Sequence, residues 1–449
     1  MTTSNTIARP GIVARALRGS AITAAAYAGS QALRLASNLI LARLLFPEAF
    51  GLMALVSVML VGLQMFSDMG LSPAIARSVR GDDPAFLDTA WTLQIGRGVV
   101  LWLGASAFAW PMASFYAAPA LTGLIPVAAL SLLIAGFNPT RIETANRHLS
   151  LGRVTLLDLA SQGAGIVVMV AMALATGSVW ALVIGAVAGA LVKLALMTAL
   201  LPGPANRLRW EREAGHELVH FGKWILLSTV CGFALSQGDR LILGAYLTLD
   251  QLGIYNIGYF LASFPWLLGG AVTMRVMIPL YRDDPAGAKS ANAPRVRRMR
   301  MAMTGGLLGL LAVLAITGVP LVHLLYDDRY VAAGAIVVLV ACVQMPAVVG
   351  MTYDQAALAA GDSKAFFAVL LAKACLQTAA FLTGAHFGGM VGALAGQGIA
   401  LALSHPLIIW LARRHHVWDR GHDIAGGSFA VLAVTLALWL NHAAIVALP

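Results

Sequence analysis

The sequence predicts an all-α polytopic membrane protein: two parallel six-helix lobes around a central cavity, plus one extra C-terminal hydrophobic helix. Three observations carry that expectation. They are an apolar composition, a regular alternation of basic and non-basic loops, and a helix-turn pattern that occurs twice.

Of the 449 residues, 59% are hydrophobic and only 11% are charged, against about 25% charged in soluble domains. Such a chain cannot cover itself with a polar surface, so most of its solvent must be lipid. Runs of roughly 20 apolar residues, the length that crosses a bilayer as a helix, recur along it. The formal charge of +10 is not a nucleic-acid signature, because the basic residues form short clusters between apolar runs, as topology signals do. Cys231, Cys342 and Cys375 fall inside apolar runs without paired spacing, so they read as small buried residues rather than a disulfide or metal framework. The start, MTTSNTIARPGIVARALRGS, shows no cleavage pattern, and the first span is expected to be retained. No G-x-x-x-x-G-K-[ST] stretch occurs, which excludes a P-loop ATPase, and no cofactor or metal is expected.

Apolar spans are read at about 19–45, 50–76, 88–112, 119–140, 154–176, 179–201, 221–247, 252–280, 301–325, 331–360, 365–386, 389–411 and 424–448. They are too long and continuous for barrel strands of about 10 alternating residues. Loops on one side hold 22 of the 30 Lys and Arg residues: Arg9, Arg15, Arg18; Arg77, Arg80; Arg141, Arg147, Arg153; Arg207, Arg209, Arg212, Lys223; Arg282, Lys289, Arg295, Arg297, Arg298, Arg300; Lys364; and Arg413, Arg414, Arg420. The opposite loops are short and hold only Arg329, with Arg43 at a rim. The positive side is expected in the cytoplasm, which puts the N-terminus inside. The expected domains are an N-terminal lobe at 1–201, a cytoplasmic linker at 202–220, a C-terminal lobe at 221–412 and an extra membrane segment at 413–449.

LILARLLFPEAFG (Leu39–Gly51) and LILGAYLTLDQLG (Leu241–Gly253) align at a constant offset of 202 positions. Glu48 meets Asp250, and Gly51 meets Gly253. The acids suit the N-termini of the following helices, and the glycines are expected to serve the tight turn through positive φ. Both copies close a span running in the same direction, so the halves read as parallel repeats, a transporter architecture.

The run RLASNLILARLLFPEAFGLMALVSVMLVGLQMFSDMGL, with Gln237-Gly238-Asp239-Arg240-Leu-Ile-Leu-Gly and LGIYNIGYF, resembles the polysaccharide-transporter branch of the multidrug/oligosaccharidyl-lipid/polysaccharide flippase superfamily. Those are the bacterial Wzx-like flippases. The resemblance covers roughly residues 15–412 and is strongest in spans 1–2 and 7–8. It implies movement of an undecaprenyl-diphosphate-linked oligosaccharide between the leaflets of the cytoplasmic (inner) membrane by alternating access, in exopolysaccharide, capsule or O-antigen assembly. Membrane lipid, a polysaccharide polymerase and chain-length proteins are the further partners it implies. The final span departs from the usual even helix count.

Ionisable residues inside spans are functional candidates by default. The basic ones are Arg34, Arg97, Lys193, Arg240, Arg275 and Lys373, and the acids within or near spans are Asp68, Asp158, Asp239 and Asp354. At 1.5 Å per residue, Arg34 lies roughly 20 Å into span 1 and Arg97 roughly 13 Å into span 3. Arg forks bind phosphate bidentately, so these six basic residues are expected to line a cavity for a diphosphate headgroup. Asp239 and His405 are the candidates for proton coupling. Structural pairing or snorkelling is the competing role for each. Glycines four apart (Gly185 and Gly189; Gly305 and Gly309; Gly388, Gly392 and Gly396) read as helix-packing seams.

Other functions remain open at this point. A peptidoglycan-precursor flippase uses the same headgroup chemistry. A multidrug or metabolite exporter for cations should favour acids in its spans, where basic residues prevail here. A membrane-embedded polymerase would need acid/base groups outside, and only Glu48, Asp250, Asp327 and Asp328 are available, all in short turns. No covalent chemistry is expected, so the chain reads as a transporter and not an enzyme.

Overall fold

The computed structural model describes residues 12–67, 70–148, 151–215, 218, 226–283 and 293–448. Asp68 and the loop residues Arg9, Lys223 and Lys289 lie outside them. Among the described residues every regular element is helical. Eight helices among the described residues are long and apolar enough to cross a membrane, or ten if each of two bent pairs is one span. The sequence reading gives thirteen, and the difference has physical sources. The first helix carries Gln31, Arg34 and Asn38, and the span near 240 carries Gln237, Asp239 and Arg240, which lowers their apolar character. Another candidate, Ser363–Arg414, doubles back on itself.

The chain divides into two compact units, residues 1–45 with 59–226 and residues 46–58 with 227–449. The first contains α1 (Ile12–Leu44), the later part of α2 (Pro47–Phe66), α3 (Leu71–Arg77), α4 (Pro84–Phe115), α5 (Leu121–Gly136), α6 (Arg141–Arg147), α7 (Leu151–Thr176) and α8 (Trp180–Leu200). The pairs α4–α5, α7–α8, α1–α7 and α5–α8 pack together. The α7–α8 contact runs through glycines. A Cβ on Gly165 would sit 3.0 Å from the Gly185 carbonyl oxygen, and one on Gly185 would strike Met169, so that predicted seam is real.

The loop basic residues of this unit do more than mark topology. Arg80 donates to both oxygens of Glu211 (2.7 and 2.8 Å) and to Asp83 (2.6 Å). Arg141 donates to the carbonyls of Pro204 (2.8 Å) and Leu201 (2.8 Å). Both staple the segment after α8 to the helix ends.

The second unit holds the start of α2, then α9 (Leu226–Tyr246), α10 (Leu249–Ala262), α11 (Phe264–Asp283), α12 (Ala293–Leu325), a 3₁₀ turn (Asp328–Tyr330), α13 (Ala332–Gly350), α14 (Asp354–Ala359), α15 (Ser363–Leu403), α16 (His405–Arg414), α17 (Arg420–Leu440) and α18 (His442–Val446). Its centre is α13, which is buried almost throughout and packs on α10, α12, α15 and α17. The extra C-terminal span is thus a built-in part of this unit: Ala430, Ala433 and Ala437 of α17 join a core with Leu311, Ala315, Ala341 and Met345. It begins at Arg420 and stops at Leu440, earlier at both ends than hydropathy predicts.

Three glycine expectations change. Gly51 and Gly253 lie inside α2 and α10 and take no positive φ. A Cβ on Gly51 would sit 2.0 Å from the Leu249 carbonyl oxygen, and one on Gly253 would sit 1.9 Å from that of Pro47. The ends of the two repeated stretches, both within the second unit, therefore pack on each other at Pro47–Gly51 and Leu249–Gly253, and glycine is needed there for close backbone approach. Gly388 is a corner, not a seam residue. With Gly389 (φ 56°) it reverses α15 into a hairpin, whose arms touch where a Cβ on Gly392 or Gly396 would meet the carbonyl oxygens of Gly384 or Ala380 within 2.2 Å. Gly305 and Gly309 face open space and form no seam among the described residues. Cys375 is exposed, whereas Cys231 and Cys342 are buried as expected; all three are free thiols.

The acids of the short, base-poor loops behave as turn residues. Glu48 and Asp250 stand in the first turns of their helices, Thr248 and Gln251 form a capping box ahead of α10, and Asp327 caps the 3₁₀ turn and pairs with Arg329.

Candidate functional site

In the second unit, α9 presents Gln237, Asp239 and Arg240 to α10, whose Tyr255, Asn256 and Tyr259 fall within one turn of each other. The Tyr255 hydroxyl donates to Asp239 Oδ2 at 2.7 Å. Arg240 Nε donates to Asn256 Oδ1 at 3.0 Å, and its Nη1 to Gln237 Oε1 at 3.4 Å. The guanidinium lies 4.5 Å from the Tyr259 ring centroid, within cation–π range, and 3.7 Å from Asp239 Oδ1. Asp239 is only 8% exposed. A buried carboxylate of this kind needs compensation, and here it has the hydroxyl and the neighbouring cation. The group fixes the Arg fork in one orientation.

His405 does not sit in mid-helix. It opens α16, just after α15 ends at Leu403, and its Nε2 lies 3.3 Å from Asp423 Oδ2. Sequence reasoning missed Asp423 and His422 because they precede the apolar run, although they fall inside α17. Asp423 accepts from the Tyr353 hydroxyl (2.7 Å) and Trp418 Nε1 (2.9 Å), and lies 3.1 Å from His422 Nδ1. On its other side, His422 Nε2 is 2.9 Å from Thr304 Oγ1. One carboxylate therefore ties α16, α17, α12 and the segment before α14 together. The signal that could have found it is the pair His422-Asp423 at the head of an otherwise apolar helix. His405 and Asp423 also border a groove of about 370 Å³ whose other walls are mostly apolar, including Val349, Ala430 and Val434.

Lys373 on α15 pairs with Asp354 at 3.3 Å, both half-buried. Arg275 on α11 is exposed. In the first unit, Arg97 Nε donates to Ser67 Oγ at 2.9 Å and its Nη2 to the Gln64 carbonyl at 2.9 Å, bracing α4 against the end of α2. Lys193 pairs with Asp158 at 2.7 Å across α7 and α8. Arg34 is exposed on α1, one turn beyond Ser30, which is hydrogen-bonded to Gln162 of α7. The sequence-predicted residues thus form three local sets and one exposed position, Arg275, in the second unit, and three separate positions in the first.

The fold and its buried charges define an all-helical bundle of the membrane type, and solved structures bear out that fold. A multidrug resistance MATE family transporter of the MOP superfamily, in its inward-facing conformation, matches with a TM-score of 0.61 at 14% identity, over 89% of this chain and 96% of that one. The lipid II flippase MurJ, inward closed, matches with a TM-score of 0.68 at 10% identity, over 94% and 99%. More narrowly, the profile of the family described as "Polysaccharide biosynthesis protein" matches residues 40–335, and the chain belongs to that family. Among its relatives are the succinoglycan biosynthesis transport protein ExoT of Rhizobium meliloti (strain 1021), 24% identical over 56% of this chain and 51% of that protein, and the lipopolysaccharide biosynthesis protein WzxC of Escherichia coli (strain K12), 22% identical over 55% and 50%. This chain spans about half the length of the curated relatives it matches. The polysaccharide-transporter resemblance read from the residues is borne out.

Proposed function

We propose that this protein is a flippase that carries a lipid-diphosphate-linked oligosaccharide from the inner to the outer leaflet of the bacterial cytoplasmic membrane. Family membership supports the reading, and so do the names of the relatives, which concern transport and biosynthesis of surface polysaccharides. The observation that carries the chemistry is the excess of basic side chains held within apolar spans. Arg34, Arg97, Lys193, Arg240, Arg275 and Lys373 offer donors to a diphosphate, whereas a cation exporter would need the opposite balance. Two six-helix lobes that rock about a central cavity, with the N-terminus in the cytoplasm, complete the proposed mechanism. Asp239 and His405 are its candidate proton carriers.

The test is a lipid extract from cells lacking the protein, weighed for diphosphate-linked oligosaccharides. A full repeat unit accumulating on the cytoplasmic leaflet, with surface polymer lost, is the expected result. Normal pools with intact surface polymer would sink the proposal. The fold likeness to a lipid II flippase favours one rival, the peptidoglycan precursor, which would instead accumulate as a disaccharide-peptide lipid.

A further inference from the structure

We propose that the second unit carries a separate anion site of the phosphate class, built around Arg300 at the basic end of α12. Arg300 is 2% exposed, and an arginine cannot shed its charge. Its Nη2 donates to the Tyr281 hydroxyl at 2.8 Å, and its guanidinium stands 4.4 Å from the Tyr353 ring centroid. Its Nε has no hydrogen-bond partner. Among the described residues no carboxylate reaches it: Asp419 is engaged by Arg297 at 3.1 Å, and Asp423 is satisfied on the far side of Tyr353. A neutral hydroxyl and a ring face leave the buried cation without a counter-charge, a costly state unless an anion completes it.

The surroundings supply the room and the remaining donors. Arg300 lines a cavity of about 750 Å³, together with Arg297, Arg298, His416, Arg420 and Asp419, the one carboxylate of the lining, which Arg297 pairs. Arg298 and Arg420 are exposed and belong to no ion pair among the described residues. A tetrahedral phosphate oxyanion matches several guanidinium forks at once, where a lone carboxylate would occupy one. The apolar stretch of α12 starts directly after Arg300, which puts the cavity at the level where headgroup phosphates sit. An anionic phospholipid and a soluble phosphate ester therefore share the required chemistry. The proposal concerns binding only and stands apart from the transport reading.

The experiment uses the purified full chain in neutral detergent with two probes. Calorimetry measures inorganic pyrophosphate binding, and native mass spectrometry counts phosphatidylglycerol adducts against phosphatidylcholine. Binding of at least one probe is expected. The double variant R298A/R420A, altered only at exposed positions, should weaken it about tenfold, Arg300→Gln should weaken it at least as much, and Arg295→Ala, outside the cavity, should leave it within about twofold. Pyrophosphate alone would assign a soluble source, and phosphatidylglycerol alone a lipid one. Binding of neither probe, or binding unchanged in R298A/R420A, would overturn the site.

Discussion

The two units treat charge inside apolar helices differently. In the first unit the Lys193–Asp158 pair keeps 37% and 43% of its side-chain surface exposed, and Arg34 is open. In the second, Asp239 and Arg240 retain 6% and 14%, and His422 and Asp423 retain 1% and 10%. Exposed ion pairs contribute little stability, while a buried carboxylate stripped of its partners is strongly destabilising. The second unit therefore buries these charges between its helices, apart from the exposed Arg275, whereas the first leaves Lys193, Asp158 and Arg34 open. Arg97 stands between these cases, half-buried, with the Ser67 hydroxyl and the Gln64 carbonyl among its partners.

The largest effect expected on this contrast comes from Asp423→Ala. It leaves Tyr353, His405, His422 and Trp418 without their common acceptor and should cost roughly 3–5 kcal/mol, read as a lowered thermal unfolding midpoint in detergent. An unchanged midpoint would remove the structural role assigned to the second unit's charges. Next comes Gly253→Ala, whose added carbon meets a backbone carbonyl that cannot yield. A loss of about 1–3 kcal/mol is expected, while Gly305→Ala, facing open space, should be neutral or slightly stabilising. Equal effects at the two glycines would contradict the close-approach argument.

Smaller still is Lys193→Met. Its exposed pair should change stability by less than about 1 kcal/mol, so a drop in surface polysaccharide at normal protein levels would report ligand contact rather than unfolding. The smallest effect concerns pH. Hydrogen bonds from Arg80 hold the Asp83 and Glu211 carboxyls below their ordinary values. That contribution is complete near neutrality, where both are ionised folded or unfolded, and it is lost as pH falls through the ordinary carboxylate range, about 4, and below it. Amide protection at Arg207, Arg209 and Glu211, whose N–H groups bond to Asp88, Thr92 and Thr89 of α4, should fall under acid when measured against the intrinsic exchange rate at each pH. Constant protection from pH 7 to 3 would separate the Arg80 clasp from the docking of this segment.

Helicity, the family and the basic loops were legible because composition and loop charge are local properties. The hairpin in α15 was legible too, through the break between the spans read at 365–386 and 389–411. Partnerships were not. Asp158 and Lys193, Asp354 and Lys373, and Tyr353 and Asp423 lie far apart along the chain, and no periodicity records which helices touch. The reading of Gly51 and Gly253 shows the limit most clearly. The repeat drew attention to the right residues, yet a glycine that relieves φ and one that admits a neighbouring backbone look identical in a sequence.

That last contact has a consequence for how the protein is made. Residues 46–58 belong to the second unit, where Gly51 meets α10 and Phe50 packs edge-on against Tyr330 with ring centroids 6.1 Å apart. A nascent chain emerges N-terminal end first, so the head of α2 waits for its partners until Tyr330 has been synthesised. Completing the early half of the protein is thereby tied to the arrival of the late half. A chain truncated before α10 leaves the Gly51 face of α2 without the backbone it packs against.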